Sequence, residues 1–145
     1  MAETKKTTKS PGFTAEEKAA MKEHARELKA SQKREDLAKD QDAKIAELSP
    51  SEQKMAKKIH AIVAEQAPEL YPKTFYGMPG WANSDNKVVV FFQPGGKFNT
   101  RYSTLGFQQE ANLDDGDMWA CSWALTSIGD SEEKAIAALV KKAVS

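Results

Sequence analysis

Lys97, Asn99 and Arg101 recur at every second position, a spacing that on a β-strand puts all three on one face. A guanidinium beside an ammonium and an amide makes an anion receptor. Arg101 offers paired N–H donors to a carboxylate or phosphate, and Lys97 offers a point charge. Either that face takes a small anionic ligand, or Asp114 or Asp115 folds back and pairs with Arg101 inside the domain. A second candidate is the stretch Phe75-Tyr76-Gly77-Met78-Pro79-Gly80-Trp81. Gly77 and Gly80 admit torsions that other residues resist, while Pro79 fixes one torsion and pushes Met78 toward an extended conformation. The segment reads as two short strands separated by a kink. Structurally, that kink is a β-bulge aiming Tyr76 and Trp81 into the core. Functionally, it opens a pocket with Tyr76 and Trp81 as aromatic walls and Met78 between them. The third candidate is Asp114-Asp115-Gly116-Asp117, the one acidic cluster dense enough for a hard cation such as calcium, magnesium, manganese or ferrous iron. Its alternative is an Asp-Gly turn leading into a strand, and it lacks the pattern of an EF-hand.

Catalytic constellations are harder to find. The chain has two histidines: His24 on an alanine-rich helix, and His60 beside an apolar helical stripe. No Ser–His–Asp or Cys–His arrangement follows from their spacing. Gly95-Gly96 after Pro94 is a turn rather than a phosphate cradle, since no Gly-Lys-Ser/Thr follows. The single Cys121 excludes an internal disulfide and any multi-cysteine metal site. It is expected mid-strand among Trp119, Trp123 and Leu125, buried and inert. The chemistry points to a non-catalytic binding module.

The elements that must position these groups follow from caps and periodicity. Residues 1–13, rich in Lys, Thr and Ser, read as a disordered tail. Thr14 with Glu17 forms a capping box opening a helix over about 15–36, whose apolar members are mostly alanines. A polar break is expected at Asp36–Asp42 and a short helical piece at Ala43–Leu48. Ser49-Pro50-Ser51-Glu52 is a stronger start signal, and Met55, Ile59, Ile62 and Val63 recur on the core-facing side until Pro68 ends the helix near Gln66. Strand character follows. Lys87–Phe92 suits a central strand buried on both faces, after a hairpin loop at Asn83–Asn86. Phe98–Phe107 and Met118–Thr126 read as further strands, with Phe98 and Tyr102 facing away from Lys97 and Arg101. Asp130 with Glu133 caps a last helix with Ile136, Leu139, Val140 and Ala143 on its buried side. Helices, then antiparallel strands, then a helix define an α+β fold.

The chain is 145 residues long, one domain's worth, with 21 basic against 21 acidic residues. A net charge of zero gives no global field toward nucleic acid or an anionic membrane. With no apolar leader and no membrane-length apolar run, the chain is expected to be soluble, cytoplasmic and monomeric, with no nucleic-acid or membrane partner. Charge is nonetheless segregated. From Lys73 to Phe107 the bases are Lys73, Lys87, Lys97 and Arg101 against Asp85 alone. From Gln108 to Glu133 there are seven acids and no Lys or Arg.

Several ordered motifs carry a family resemblance: Tyr76-Gly77-Met78-Pro79, Val90-Phe91-Phe92-Gln93, Lys97-Phe98, Arg101-Tyr102, Leu105-Gly106-Phe107, and Leu113-Asp114-Asp115-Gly116 with Met118-Trp119. Over about residues 45–145 the chain resembles the YdhG-like family of small bacterial domains of unknown function, with 14–44 as a peripheral helical extension. The resemblance implies an α+β domain with a curved antiparallel sheet of about four to five strands flanked by helices. Some relatives are described as frataxin-like intracellular iron chaperones. Iron handling at Asp114, Asp115 and Asp117 is therefore the alternative function it implies.

Overall fold

The computed structural model describes residues 14–145, so the expected tail at 1–13 lies outside the described residues. The chain divides into two compact units, one ending at Lys33 and one spanning Arg34–Ser145. Helix α1 runs unbroken from Ala15 to Ala46. Its start is the capping box: Glu17 N–H donates to Thr14 Oγ1 at 3.0 Å, and Thr14 N–H to Glu17 Oε1 at 3.3 Å. The polar break expected at Asp36–Asp42 does not occur. No Gly or Pro lies between Gly12 and Pro50, and three scattered aspartates each cost a helix only tenths of a kcal/mol, roughly 0.7 at most. Tertiary anchoring outweighs them. Gln41 and Ile45 are buried, and Gln41 Nε2 donates to Lys73 O (3.1 Å) and Gly80 O (2.8 Å).

Helix α2 spans Pro50–Gln66, with both arms of the Ser49/Glu52 capping box formed and Pro50 in the first turn. Five antiparallel strands follow: β1 Tyr71–Phe75, β2 Met78–Ala82, β3 Val88–Gln93, β4 Ser103–Phe107 and β5 Ser122–Leu125. They pair in sequence order as an open sheet with β1 and β5 at its edges. Helix α3, Asp130–Ala143, closes the chain. Its cap differs by one residue from the expected Asp130/Glu133, because Glu132 Oε1 accepts from Gly129 N–H at 2.8 Å. The described residues thus form an α+β fold, and none of their helices is long and apolar enough to cross a membrane.

One face of the sheet presents Trp81, Val90, Phe92, Leu105, Phe107 and Leu125 to Met55, Ile59 and Val63 of α2 and Ile136 and Val140 of α3. Side chains buried this completely each contribute about 1.5–3 kcal/mol. A register shift between Trp81 and Ala82 pairs Ala82 with Val88, so Val89 and Val90 both turn toward the core. The bulge anticipated around Tyr76 therefore lies further along, at the other end of β2. The Phe75–Trp81 stretch itself is a hairpin. Phe75 pairs with Met78, and the two turn residues Tyr76 (φ 50°) and Gly77 (φ 77°) both have positive φ, the signature of a two-residue turn matched to strand twist. In such a hairpin Pro72 and Thr74 face the free edge of β1, where Pro72 has no N–H to offer.

Two strands are shorter than expected. Residues 94–102 form a loop, so β4 begins at Ser103, and residues 108–121 precede a four-residue β5. On the sheet's other face the Phe91 ring lies across Gly106, where a Cβ would stand 2.2 Å from Phe91 Cζ.

Candidate functional site

The loop joining β3 to β4 carries all three residues of the predicted anion face. Pro94 and Gly95 are buried, and Gly95 is required: a Cβ there would meet the Tyr102 carbonyl oxygen at 2.7 Å. Gly95 N–H donates to Ser103 Oγ (2.9 Å) and Thr100 N–H to Gly95 O (2.9 Å), which folds the loop back on itself. Asn99 accepts the reversal with φ 56°, a conformation asparagine tolerates better than most residues. Two long-range hydrogen bonds brace the loop. Gly96 N–H donates to Glu52 Oε2 at 2.7 Å, and Lys97 Nζ donates to Gly77 O at 2.8 Å. Glu52 thus ties the start of α2 to this loop while its other oxygen completes the capping box. Burial alone would raise the Glu52 pKa. The hydrogen bonds from Gly96 N–H and from the Ser49 hydroxyl and N–H outweigh that and hold it below its ordinary value.

Everything on the tip of this loop is exposed: Lys97, Phe98, Asn99, Thr100, Arg101 and Tyr102. The Arg101 guanidinium lies 5.2 Å from the Tyr102 ring centroid, and Lys97 Nζ lies 6.0 Å from that of Phe98. Arg101 and Tyr102 line a shallow polar cavity of about 180 Å³ with Ser51, Glu52, Thr100 and Thr126. Lys97 lines a different one, of about 390 Å³, with Lys44, Glu47 and Gly77. The two cations therefore flank Glu52 rather than sharing a strand face. The aromatics expected on the opposite face stand beside them.

The internal pair expected between Arg101 and Asp114 or Asp115 is not formed. Among the described residues the ion pairs are Arg26–Glu23, Lys44–Glu47 and Lys58–Glu133, and no carboxylate reaches Arg101. Nor does the aromatic pocket form. Trp81 is 1% exposed, part of the core, and its indole N–H donates to His60 Nδ1 at 3.2 Å. Met78 is buried too, whereas Tyr76 is 86% exposed at the hairpin tip. Of these three only Tyr76 stands near the loop, through the Lys97 contact to Gly77.

Asp114, Asp115 and Asp117 are exposed in the β4–β5 connection, around Gly116 with φ 70°. Among the described residues no three His, Cys, Asp or Glu side chains are placed to hold a metal ion, so the predicted cation cluster is not assembled. Asp114 instead lines an apolar cavity of about 340 Å³ with Phe107, Leu113, Trp119 and Cys121. Cys121 and Trp119, read as buried strand residues, are exposed because β5 starts only at Ser122. The signal available in the sequence was the loop-forming set Pro94, Gly95, Gly96 and Asn99, which interrupts the alternation.

The geometry is that of an open-sheet α+β protein with a braced, cationic and aromatic loop beside the N-terminus of α2. No family model, curated protein or solved structure matches the chain.

Proposed function

We propose that this chain is a non-catalytic binding domain of the YdhG-like kind. Its β3–β4 loop captures an anionic group, carried by a small ligand or by a protein partner. The observation that carries this reading is Arg101: exposed, without a carboxylate partner among the described residues, and held beside the Tyr102 ring on a loop fixed at three points. A guanidinium in that state keeps its paired donors for a carboxylate or phosphate. Tyr102 and Phe98 add flat apolar surface for the body of the ligand. Cations and rings hold a ligand; turnover would need an activated nucleophile or a general base beside them. The order of two helices, antiparallel sheet and final helix agrees with what the family resemblance implies.

The test is an amide NMR titration with inorganic phosphate, phosphate esters and short carboxylates. Saturable shifts at residues 95–103 are expected, and Arg101→Ala should abolish them while the remaining spectrum stays folded. Shifts that spare this loop, or a folded Arg101→Ala variant that binds unchanged, would refute the reading.

A further inference from the structure

Lys18, Lys22, Arg26, Lys29 and Lys33 recur at every third or fourth position of α1, and all five are exposed. At 3.6 residues per turn they fall within an arc of about 80° and run along about 22 Å of helix. The stripe lies wholly within the first compact unit. The acids of α1 as far as Glu35 stand outside that arc. Glu23 is the nearest, about 60° beyond it, and its carboxylate pairs with Arg26. Glu17 is engaged in the capping box, and Asp36, three residues past Lys33, closes the stripe.

A helix face that meets only water gains from opposite charges at i,i+3 and i,i+4, and like charges there destabilise it. This face does the reverse. Lys18 precedes Lys22, Lys22 precedes Arg26 and Lys29 precedes Lys33, each by four residues, and Arg26 precedes Lys29 by three. Among the described residues Glu23–Arg26 is the one ion pair the stripe forms, so its four lysines have no carboxylate partner there. The helix carries a self-repulsion that a line of negative charge would relieve. The zero net charge of the chain conceals the same division. Met1–Lys33 holds eight Lys and Arg against five Asp and Glu, and the remainder holds thirteen against sixteen.

The stripe is straight, and its partner must present negative charge along a line of the same length. Duplex nucleic acid carries one charge per about 1.7 Å of axis, so about 13 phosphates lie along 22 Å of it. Single strands are held by stacking their bases on aromatic rings, and no Phe, Tyr or Trp occurs from Thr14 to Leu70. A helix that lies in a membrane surface needs a broad apolar face, and here that face is Met21, Ala25 and Leu28 alone. We propose that the cationic stripe of α1 binds the phosphate backbone of a double-stranded nucleic acid, where net charge led to the expectation of no nucleic-acid partner. The lysines contact phosphates, so binding is independent of base sequence.

Fluorescence anisotropy of a labelled duplex of about 20 base pairs, titrated with the full chain, reads this binding. Neutralising four phosphates gives a log–log salt slope of about −3.6, so the dissociation constant should rise about a hundredfold between about 50 and 200 mM salt. Lys22→Glu with Lys29→Glu should weaken binding by about tenfold or more and flatten that slope. The same pair of changes turns all four like-charge neighbours of the stripe into opposite ones. Its helical circular dichroism should therefore hold or rise, which separates a loss of binding from a loss of fold. Lys141→Glu with Lys142→Glu, an equal charge change at the exposed end of α3, should bind as the wild type does. No binding at about 50 mM salt overturns the proposal. So does a helical Lys22→Glu/Lys29→Glu chain that binds unchanged, or a loss that the α3 variant shares equally. Capture of the chain by phosphatidylserine vesicles, with the duplex left free, overturns it in favour of a membrane surface.

Discussion

Replacing Glu52 with alanine should loosen both the start of α2 and the candidate site, and the size of the effect can be worked from its contacts. Oε2 accepts from Gly96 N–H at 2.7 Å, and Oε1 accepts from Ser49 Oγ at 2.9 Å and Ser49 N–H at 3.3 Å. A hydrogen bond to a charged group contributes about 1.5–3 kcal/mol, with the low end fitting a half-exposed carboxylate. The capping arm adds about 0.5–1 kcal/mol. Glu52→Ala should therefore cost about 2 kcal/mol, and Glu52→Gln about half of that. Urea unfolding measures the loss, and the Gly96 amide resonance shows whether the loop bond is what went. The pH dependence follows from the sign of the shift. Because the folded pKa is depressed, Glu52 stabilises fully above the ordinary glutamate pKa and loses this contribution as pH falls from there through the folded value. The gap between wild type and Glu52→Ala should thus narrow in acid. A loss under about 0.5 kcal/mol at neutral pH, or a Gly96 amide that does not move, would refute the bracing argument.

Two further substitutions probe the sheet. Gly106→Ala places a methyl where Phe91 Cζ stands 2.2 Å away, so the ring must leave its position 5.3 Å from Phe75. The expected cost is about 1–3 kcal/mol by thermal unfolding, and Phe91→Ala in the same chain should make the added methyl harmless. Gln41→Leu keeps the volume but removes both donors to Lys73 O and Gly80 O. It should cost about 1–2 kcal/mol and increase hydrogen exchange in the β1–β2 hairpin more than in β4.

The fold was legible wherever a local signal and a tertiary requirement agreed. Ser49-Pro50-Ser51-Glu52 is a helix start by chemistry alone, and Val88–Phe92 is too apolar and β-branched to be anything but the middle strand. Helix α1 continues through Asp36–Asp42, where local composition alone favours a break, because Gln41 reaches carbonyls more than thirty residues away. The site failed for a different reason. Residues 98–107 alternate well enough to imitate a strand, yet Gly95, Gly96 and Asn99 bend the chain before the ladder begins, and alternation cannot see a turn. Trp81 and Tyr76 looked equivalent in sequence. A two-residue turn gives them opposite fates, one in the core and one in solvent.

Pro72 sets an upper limit on growth. A sheet that can add strands at both ends has a valence of two, and bivalent units make chains of unlimited length. With an imino nitrogen in the outward register of β1, that side offers only the Thr74 N–H as donor, too little to hold another strand. A strand added at β5 would therefore find only this poor edge left for the next one, and addition there would end the series instead of building a fibre. Exchanging Pro72 for a residue with an N–H would raise that valence to two.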